Sequence, residues 1–307
     1  MENKSIKIQK VTNEQDDVID EKIKNLSLGK SDDIIKEKIA LNIDLEKLPE
    51  DIAISTMTIT CKINTEFYAT NIGKYLDLRP NGVVDIRHGN NEDMTTNRTI
   101  IVRKVLAQKY KKKKKAFYNQ VTLLVKTANK IMNVKLFSNG AIQLTGCKSI
   151  ESVIEALTKI FKELNIVKAV YDKETNMIVE KQYVTNPKIV DINNLYDIKI
   201  CMINSNFTME FNIDRDNLFD LLISDKIECS YDPIIHACVN IKYEHMEKTV
   251  SIFVFESGAV IITGARSCEQ IVNAYNFINK YLLKHYDVLH KSNNLTNSTI
   301  LQYLDDN

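Results

Sequence analysis

The chain has no tryptophan, only four prolines and eight glycines in 307 residues, and no excess of either charge, with 41 Lys and Arg against 40 Asp and Glu. So few chain breakers exclude a collagen-like or low-complexity protein. Balanced charge means that a polyanionic partner would have to be met by local segregation of charge, since the molecule as a whole is not basic. No apolar run approaches the length that crosses a bilayer. The first ten residues, MENKSIKIQK, also lack the apolar core of a secretory leader, so an intracellular protein is expected.

Paired cysteines are missing as well. Cys61, Cys147, Cys201, Cys229, Cys238 and Cys268 form no CxxC pair, and several lie in strand-like runs, which predicts reduced core thiols. His88, His236, His245, His285 and His290 have no metal-ligand spacing. Leu28-Gly29-Lys30-Ser31 looks like the end of a phosphate-binding loop, but Lys24 stands where the first Gly is needed. No carboxylate pair or Ser-His-acid set stands out. The expectation is a protein that is not an enzyme and takes no cofactor, metal, small-molecule ligand or membrane.

What is present is a repeat. Val134–Gly146 (VKLFSNGAIQLTG) returns 118 positions later as Ile252–Gly264 (IFVFESGAVIITG) without a gap. Phe137 falls on Phe255, Gly140 on Gly258 and Thr145-Gly146 on Thr263-Gly264, a register held too long for chance, which indicates an internal duplication. Each copy reads as a hairpin running into a helix. Alternation places Val134, Leu136, Ile142 and Leu144 on one face, matched by Ile252, Val254, Val260 and Ile262. The stripes Val153, Leu157, Ile160, Leu164 and Ile271, Tyr275, Ile278, Leu282 recur at helical spacing and supply the cover. The opposite face carries Lys135, Phe137, Gln143 and Thr145, then Phe253, Phe255, Ile261 and Thr263. Nothing is patterned to bury it, and a wet face with Phe at the same place twice suggests a binding surface.

In chain order, residues 1–50 read as a polar arm. Ser55–Ile63 alternates, with Met57, Ile59, Cys61 and Ile63 inward and Thr56, Thr58 and Thr60 outward. Asn64 is expected to cap a helix over Thr65–Leu78, and Gly82–His88 to form a strand. Residues 90–116 are a basic insertion, with eight Lys or Arg and no acid between Arg103 and Lys115. Such a run is ordinarily a solvated loop, but here it precedes a strand of the suspected sheet, which favours phosphate contact. Residues 171–196 link the halves. The second half, 197–290, opens with Ile200–Ile213, in which Ile203, Phe207, Met209 and Phe211 face the core and Met202, Asn204, Asn206 and Thr208 the other side. Asp214 caps a helix over Arg215–Ser224, and residues 291–307 are a polar tail. Matching Cys61 to Phe211 gives the opening strands an offset of 150, leaving about 32 extra residues in the first half.

Two α+β halves, each with F-x-x-G-x-x-x-x-T-G, resemble the core of the TATA-box-binding protein family over residues 51–290. Tyr231-Asp232-Pro233 stands at the family's Tyr-acid-Pro loop, and the basic insertion and AT-rich style of composition look like members from large DNA viruses. The resemblance implies a ten-stranded saddle with helices on the convex face, binding double-stranded, A·T-rich DNA in the minor groove and kinking it, a mechanism for which this family is itself the standard example. It implies wedge roles for Phe137 and Phe255. Thr145, Thr263, Ile261 and Gln143 would lie on the groove floor together with Thr56, Thr58, Lys135 and Phe253, and Lys148 and Arg266 would be at phosphates. The second wedge places fall near Phe117 and Tyr118 and at His236. The paired Asn places of the family fall on Ile52 and Met202, with Asn204 or Asn206 as substitutes in the second half. Asp232 would meet a TFIIB-like factor that brings the RNA polymerase machinery, in the nucleus or in a cytoplasmic viral factory. A saddle that binds DNA without sequence preference, or only protein, and a saddle serving an enzyme as accessory module are the competing readings.

Overall fold

The computed structural model describes residues 48–89, 96–101, 119–128, 130–245 and 248–291. The first half runs β1 (Ala53–Lys62), α1 (Ala69–Tyr75), β2 (Val83–His88), β3 (Thr96–Thr99), β4 (Gln120–Lys126), β5 (Ile131–Phe137), β6 (Ala141–Cys147) and α2 (Ile150–Leu164). A separate hairpin follows, β7 (Lys168–Asp172) with β8 (Met177–Lys181), and then two short 3-10 turns. The second half is β9 (Tyr196–Thr208), α3 (Arg215–Ser224), β10 (Cys229–Ser230), β11 (Cys238–His245), β12 (Lys248–Phe255), β13 (Ala259–Ala265), α4 (Cys268–Lys284) and α5 (Tyr286–Leu289). The large sheet has the order β10-β11-β12-β13-β9-β1-β6-β5-β4-β2-β3, so the opening strands of the halves meet at its centre, antiparallel.

The expected faces hold. Val134, Leu136, Ile142, Leu144, Ile252, Val254, Val260 and Ile262 are buried, as are Val153, Leu157, Ile160, Leu164, Ile271, Ile278 and Leu282 beneath them, with Tyr275 packed at the edge. α2 and α4 cover the same side of the sheet. Each starts on a Ser whose hydroxyl accepts a backbone N–H three residues on, Ser149 from Ser152 at 3.4 Å and Ser267 from Gln270 at 3.3 Å. Ile160 has no exposed surface. Ile160→Ala is expected to cost about 2–5 kcal/mol, read as a lower urea midpoint at unchanged slope.

Several expectations are corrected. The sheet has eleven strands where ten were implied, because Thr96–Thr99, within the basic insertion, pairs with the free edge of β2. The first helix is Ala69–Tyr75, and Asn64 does not cap it. Residues 65–67 stay extended because the segment after β8 pairs with them: Phe67 bridges Val184, and Asn186 N donates to Thr65 Oγ1 at 3.0 Å. The second half repeats this pairing, with Ile213 bridging His290, and there Asp214 caps α3 as expected, accepting from Asp216 N and Asn217 N. Its opening strand covers Tyr196–Thr208, earlier than Ile200–Ile213. Residues 171–196 do more than connect, since Tyr183, Val184, Val190, Ile192 and Leu195 are buried.

The offset of 150 between opening strands is also wrong. Cys61 pairs with Ile142 and Phe207 with Val260, and Ile142 and Val260 are themselves 118 apart, so Cys61 corresponds to Phe207. The offset is 146, which Ile63 N donating to Gly140 O and Met209 N donating to Gly258 O repeat. An error of four residues leaves every side chain on its own face, so alternation alone does not detect it.

All six cysteines are free. Cys61 and Cys147 lie in the core, where burial pushes both thiols up to about 12. Cys201 is exposed. A thiol-selective alkylating agent at pH 8 should therefore modify Cys201 quickly and leave Cys61 and Cys147 untouched until denaturant is added, as peptide mass mapping will show. The raised values also set an alkaline limit. The folded chain holds protons there that the unfolded chain releases, so this contribution to stability is intact below pH 9 and falls as pH rises toward 12.

Candidate nucleic-acid interface

Among the described residues no helix covers the other face of the sheet, and strand pairing arranges its side chains in rows that cross the strands. In the first half Thr60, Gln143, Lys135 and Thr122 follow one another across β1, β6, β5 and β4. The equivalent row is Asn206, Ile261, Phe253 and Asn240 across β9, β13, β12 and β11. Nearer the centre stand Thr58 and Thr145 in one half and Asn204 and Thr263 in the other. All of these are half-buried by their neighbours, and none lies in the core.

The centre is bonded across the halves. Asn204 Nδ2 donates to Thr56 Oγ1 at 3.1 Å, Thr263 Oγ1 donates to Asn204 Oδ1, and Ser55 Oγ donates to Asn206 Oδ1. Both Asn side chains are thus oriented by hydrogen bonds, in the second half only. With the corrected offset, the place equivalent to Met202 is Thr56, not Ile52, which precedes β1 and is buried. Thr56 and Met202 flank the central pair Met57–Ile203 on opposite strands.

Phe137 and Phe255 close β5 and β12 at opposite ends of the open face. Each turn behind them needs its glycine. Gly140 and Gly258 have φ of +83° and +81°, and a Cβ there would lie 2.3 Å from Ile63 O and 2.6 Å from Met209 O. Lys148 and Arg266 are exposed at equivalent places, just before α2 and α4. Sequence reasoning missed Lys130, whose ammonium is pushed down by burial and then by the neighbouring charge of Lys148. Two lysines placed together in this way suit an anion. The signal was a second repeat pair, Lys130 and Lys248, at the same offset of 118.

The remaining candidates separate. Phe117, Tyr118 and the lysine run 109–115 lie outside the described residues. His236 is exposed, two residues before Cys238, which pairs with Phe255, and its N–H is held by Asp232 O at 2.7 Å. The Asp232 carboxylate turns inward on its own loop, accepting from Ile234 N at 3.0 Å and Ile235 N at 3.3 Å. It holds up two isoleucines that sequence reasoning passed over: Ile234 is 94% exposed and Ile235 70%. The available signal was an apolar pair directly after an Asp-Pro turn.

A family model described as transcription factor TFIID, or TATA-binding protein (TBP), matches residues 96–167 and 197–285. The chain belongs to this family. The α+β fold is accordingly the TBP saddle, a curved antiparallel sheet with an internal duplication and helices on one side. A TATA-box-binding protein-like protein of Acanthamoeba polyphaga mimivirus is 35% identical over 319 residues, covering 97% of this chain and 84% of that protein. The TATA-box-binding protein of Thermococcus celer is 26% identical over 156 residues, 50% of this chain and 67% of its own. Among solved structures, Methanococcus jannaschii TBP matches 76% of this chain and 99% of its own at 19% identity, with a TM-score of 0.47. The resemblance to viral TBP-like proteins read from the sequence is therefore borne out. The matched family and relatives are transcription factors and indicate no enzyme.

Proposed function

We infer that this TBP-family protein is a transcription initiation factor that binds the minor groove of A·T-rich promoter DNA with its open face and bends it. The observation that carries the reading is the pair Phe137 and Phe255, set at symmetry-related ends of a face that no helix among the described residues covers. Hydroxyls, amides and apolar groups between them suit a groove whose A·T edges offer only acceptors. Aromatic wedges at both ends unstack base steps, and the resulting bend wraps DNA against the sheet. Lys148, Arg266 and Lys130 are placed for phosphates. The loop of Asp232, with Ile234 and Ile235, is the surface for a TFIIB-like factor and through it the polymerase machinery, in the nucleus or a viral factory.

The test is binding to a short labelled A·T-rich duplex and to a G·C-rich one across a salt series. Preference for A·T that persists as salt rises supports the reading. Equal affinity for both, falling with salt alone, overturns it in favour of backbone binding through basic segments. A second reading, a saddle that binds DNA without preference or serves as an assembly surface, has one observation in its favour: the places that the resemblance gives the family's paired Asn carry Ile52 and Met202, neither of them an amide. No binding to either duplex leaves the protein-only form of that reading.

A further inference from the structure

We propose that the two halves of the open face read different base pairs, the second half accepting A·T alone and the first half also accepting G·C through Gln143 and Lys135. The inference rests on the minor-groove reading above and adds to it a direction. In the minor groove an A·T pair presents only the acceptors adenine N3 and thymine O2, whereas a G·C pair adds the guanine N2 amine as a donor. A floor without an acceptor strips water from that amine and returns nothing.

The halves differ at this point. In the second, Phe253 and Ile261 are direct partners across β12 and β13, and neither has an acceptor. The equivalent partners across β5 and β6 are Lys135 and Gln143. Both are half-buried on the open face, and neither side chain hydrogen-bonds another described residue. The Gln143 amide oxygen is free to accept from guanine N2, while its NH2 and the Lys135 ammonium donate to cytosine O2 and guanine N3, or equally to thymine O2 and adenine N3. Of the two polar neighbours in the second row, Asn206 is engaged with Ser55, and the Asn240 amide oxygen is buried away from the open face's solvent.

Charge is polarised the same way: residues 51–170 hold 20 Lys and Arg against 9 Asp and Glu, and residues 197–290 hold 8 against 13. A site with G·C pairs at one end would therefore be bound in one orientation. That orientation fixes which way the exposed Ile234-Ile235 loop of the second half faces along the DNA.

The experiment compares four proteins on three duplexes of one length: all A·T, A·T with two G·C pairs in one half, and G·C pairs in both halves. The proteins are wild type, Lys135→Phe/Gln143→Ile, Phe253→Lys/Ile261→Gln and the combined exchange. Wild type should lose less than about threefold on the half-substituted duplex and roughly tenfold or more when both halves carry G·C. Lys135→Phe/Gln143→Ile should lose that tolerance, binding the half-substituted duplex roughly tenfold or more weakly than its own all-A·T duplex. Phe253→Lys/Ile261→Gln should acquire tolerance in both halves, and the combined exchange should restore wild-type behaviour.

The inference is overturned if wild type loses as much on the half-substituted duplex as on the fully substituted one, or if Lys135→Phe/Gln143→Ile leaves the tolerance unchanged. The wild-type comparison needs no variant, so poor folding of an exchange does not shield it. Failure to prefer the all-A·T over the fully substituted duplex would instead bring down the minor-groove reading itself.

Discussion

Replacing Phe137 and Phe255 together with Ala is expected to weaken binding to an A·T-rich duplex about a thousandfold, while the far-UV circular dichroism of the protein is unchanged. An aromatic ring against a base contributes about 1–3 kcal/mol by alanine substitution, and about 4 kcal/mol for two rings corresponds to that factor. The two sites lie at opposite ends of the sheet and share no partner, so the single losses should add. Neither ring belongs to the buried core, which is why the fold should survive. Fluorescence anisotropy at fixed salt measures both the single and the double variants. A loss under about tenfold in the double variant would mean that the rings are not wedges.

The second large effect is on stability. Gly140→Ala and Gly258→Ala are each expected to cost on the order of 3 kcal/mol, and the double variant to be unfolded or nearly so at 37 °C. Each glycine sits at positive φ, and each new Cβ would meet two backbone oxygens, those of Ile63 and Thr65 at 2.3 and 2.5 Å, and those of Met209 and Phe211, both at 2.6 Å. These backbone oxygens, just past the ends of the two central strands, do not move aside as a flexible side chain does. Gly146 and Gly264 are a useful contrast. They too have positive φ, but their Cβ positions are nearly open, at 3.8 Å from Lys130 Nζ and from Thr249 O. Alanine there should cost only the backbone term, about 1–2 kcal/mol. Thermal melts of the four single variants separate the two pairs. Equal losses in all four would show that the close approach under the hairpins contributes nothing.

Alternation and repetition made most of the fold legible. Val134 to Leu144 and their partners 118 positions on needed only a period of two and a second copy to be assigned a face, and the helix stripes followed from a period of 3.6. What stayed hidden depended on partners distant in sequence. Residues 65–67 have the composition of a helix start, but Val184, Thr185 and Asn186 hold them extended. The opening strands were misaligned by four because even shifts preserve the faces, and only the hydrogen bonds to Gly140 O and Gly258 O fix the register. The same limit explains the interface. Phe137, Phe255 and the floor residues follow from position within the repeat. The bond from Asn204 to Thr56, 148 residues apart, and the turn by which Asp232 lifts Ile234 and Ile235 into solvent, exist only in the folded chain and leave no repeating pattern in the sequence.

The most direct measurement of the central claim is binding to a duplex in which every A·T pair of the preferred site is replaced by inosine·cytosine. Inosine lacks the N2 amine, so the minor groove keeps the acceptor pattern of A·T while the major groove takes on that of G·C. Minor-groove recognition predicts affinity within about threefold of the A·T duplex. Binding as weak as that of the G·C duplex would contradict the account and move recognition to the major groove.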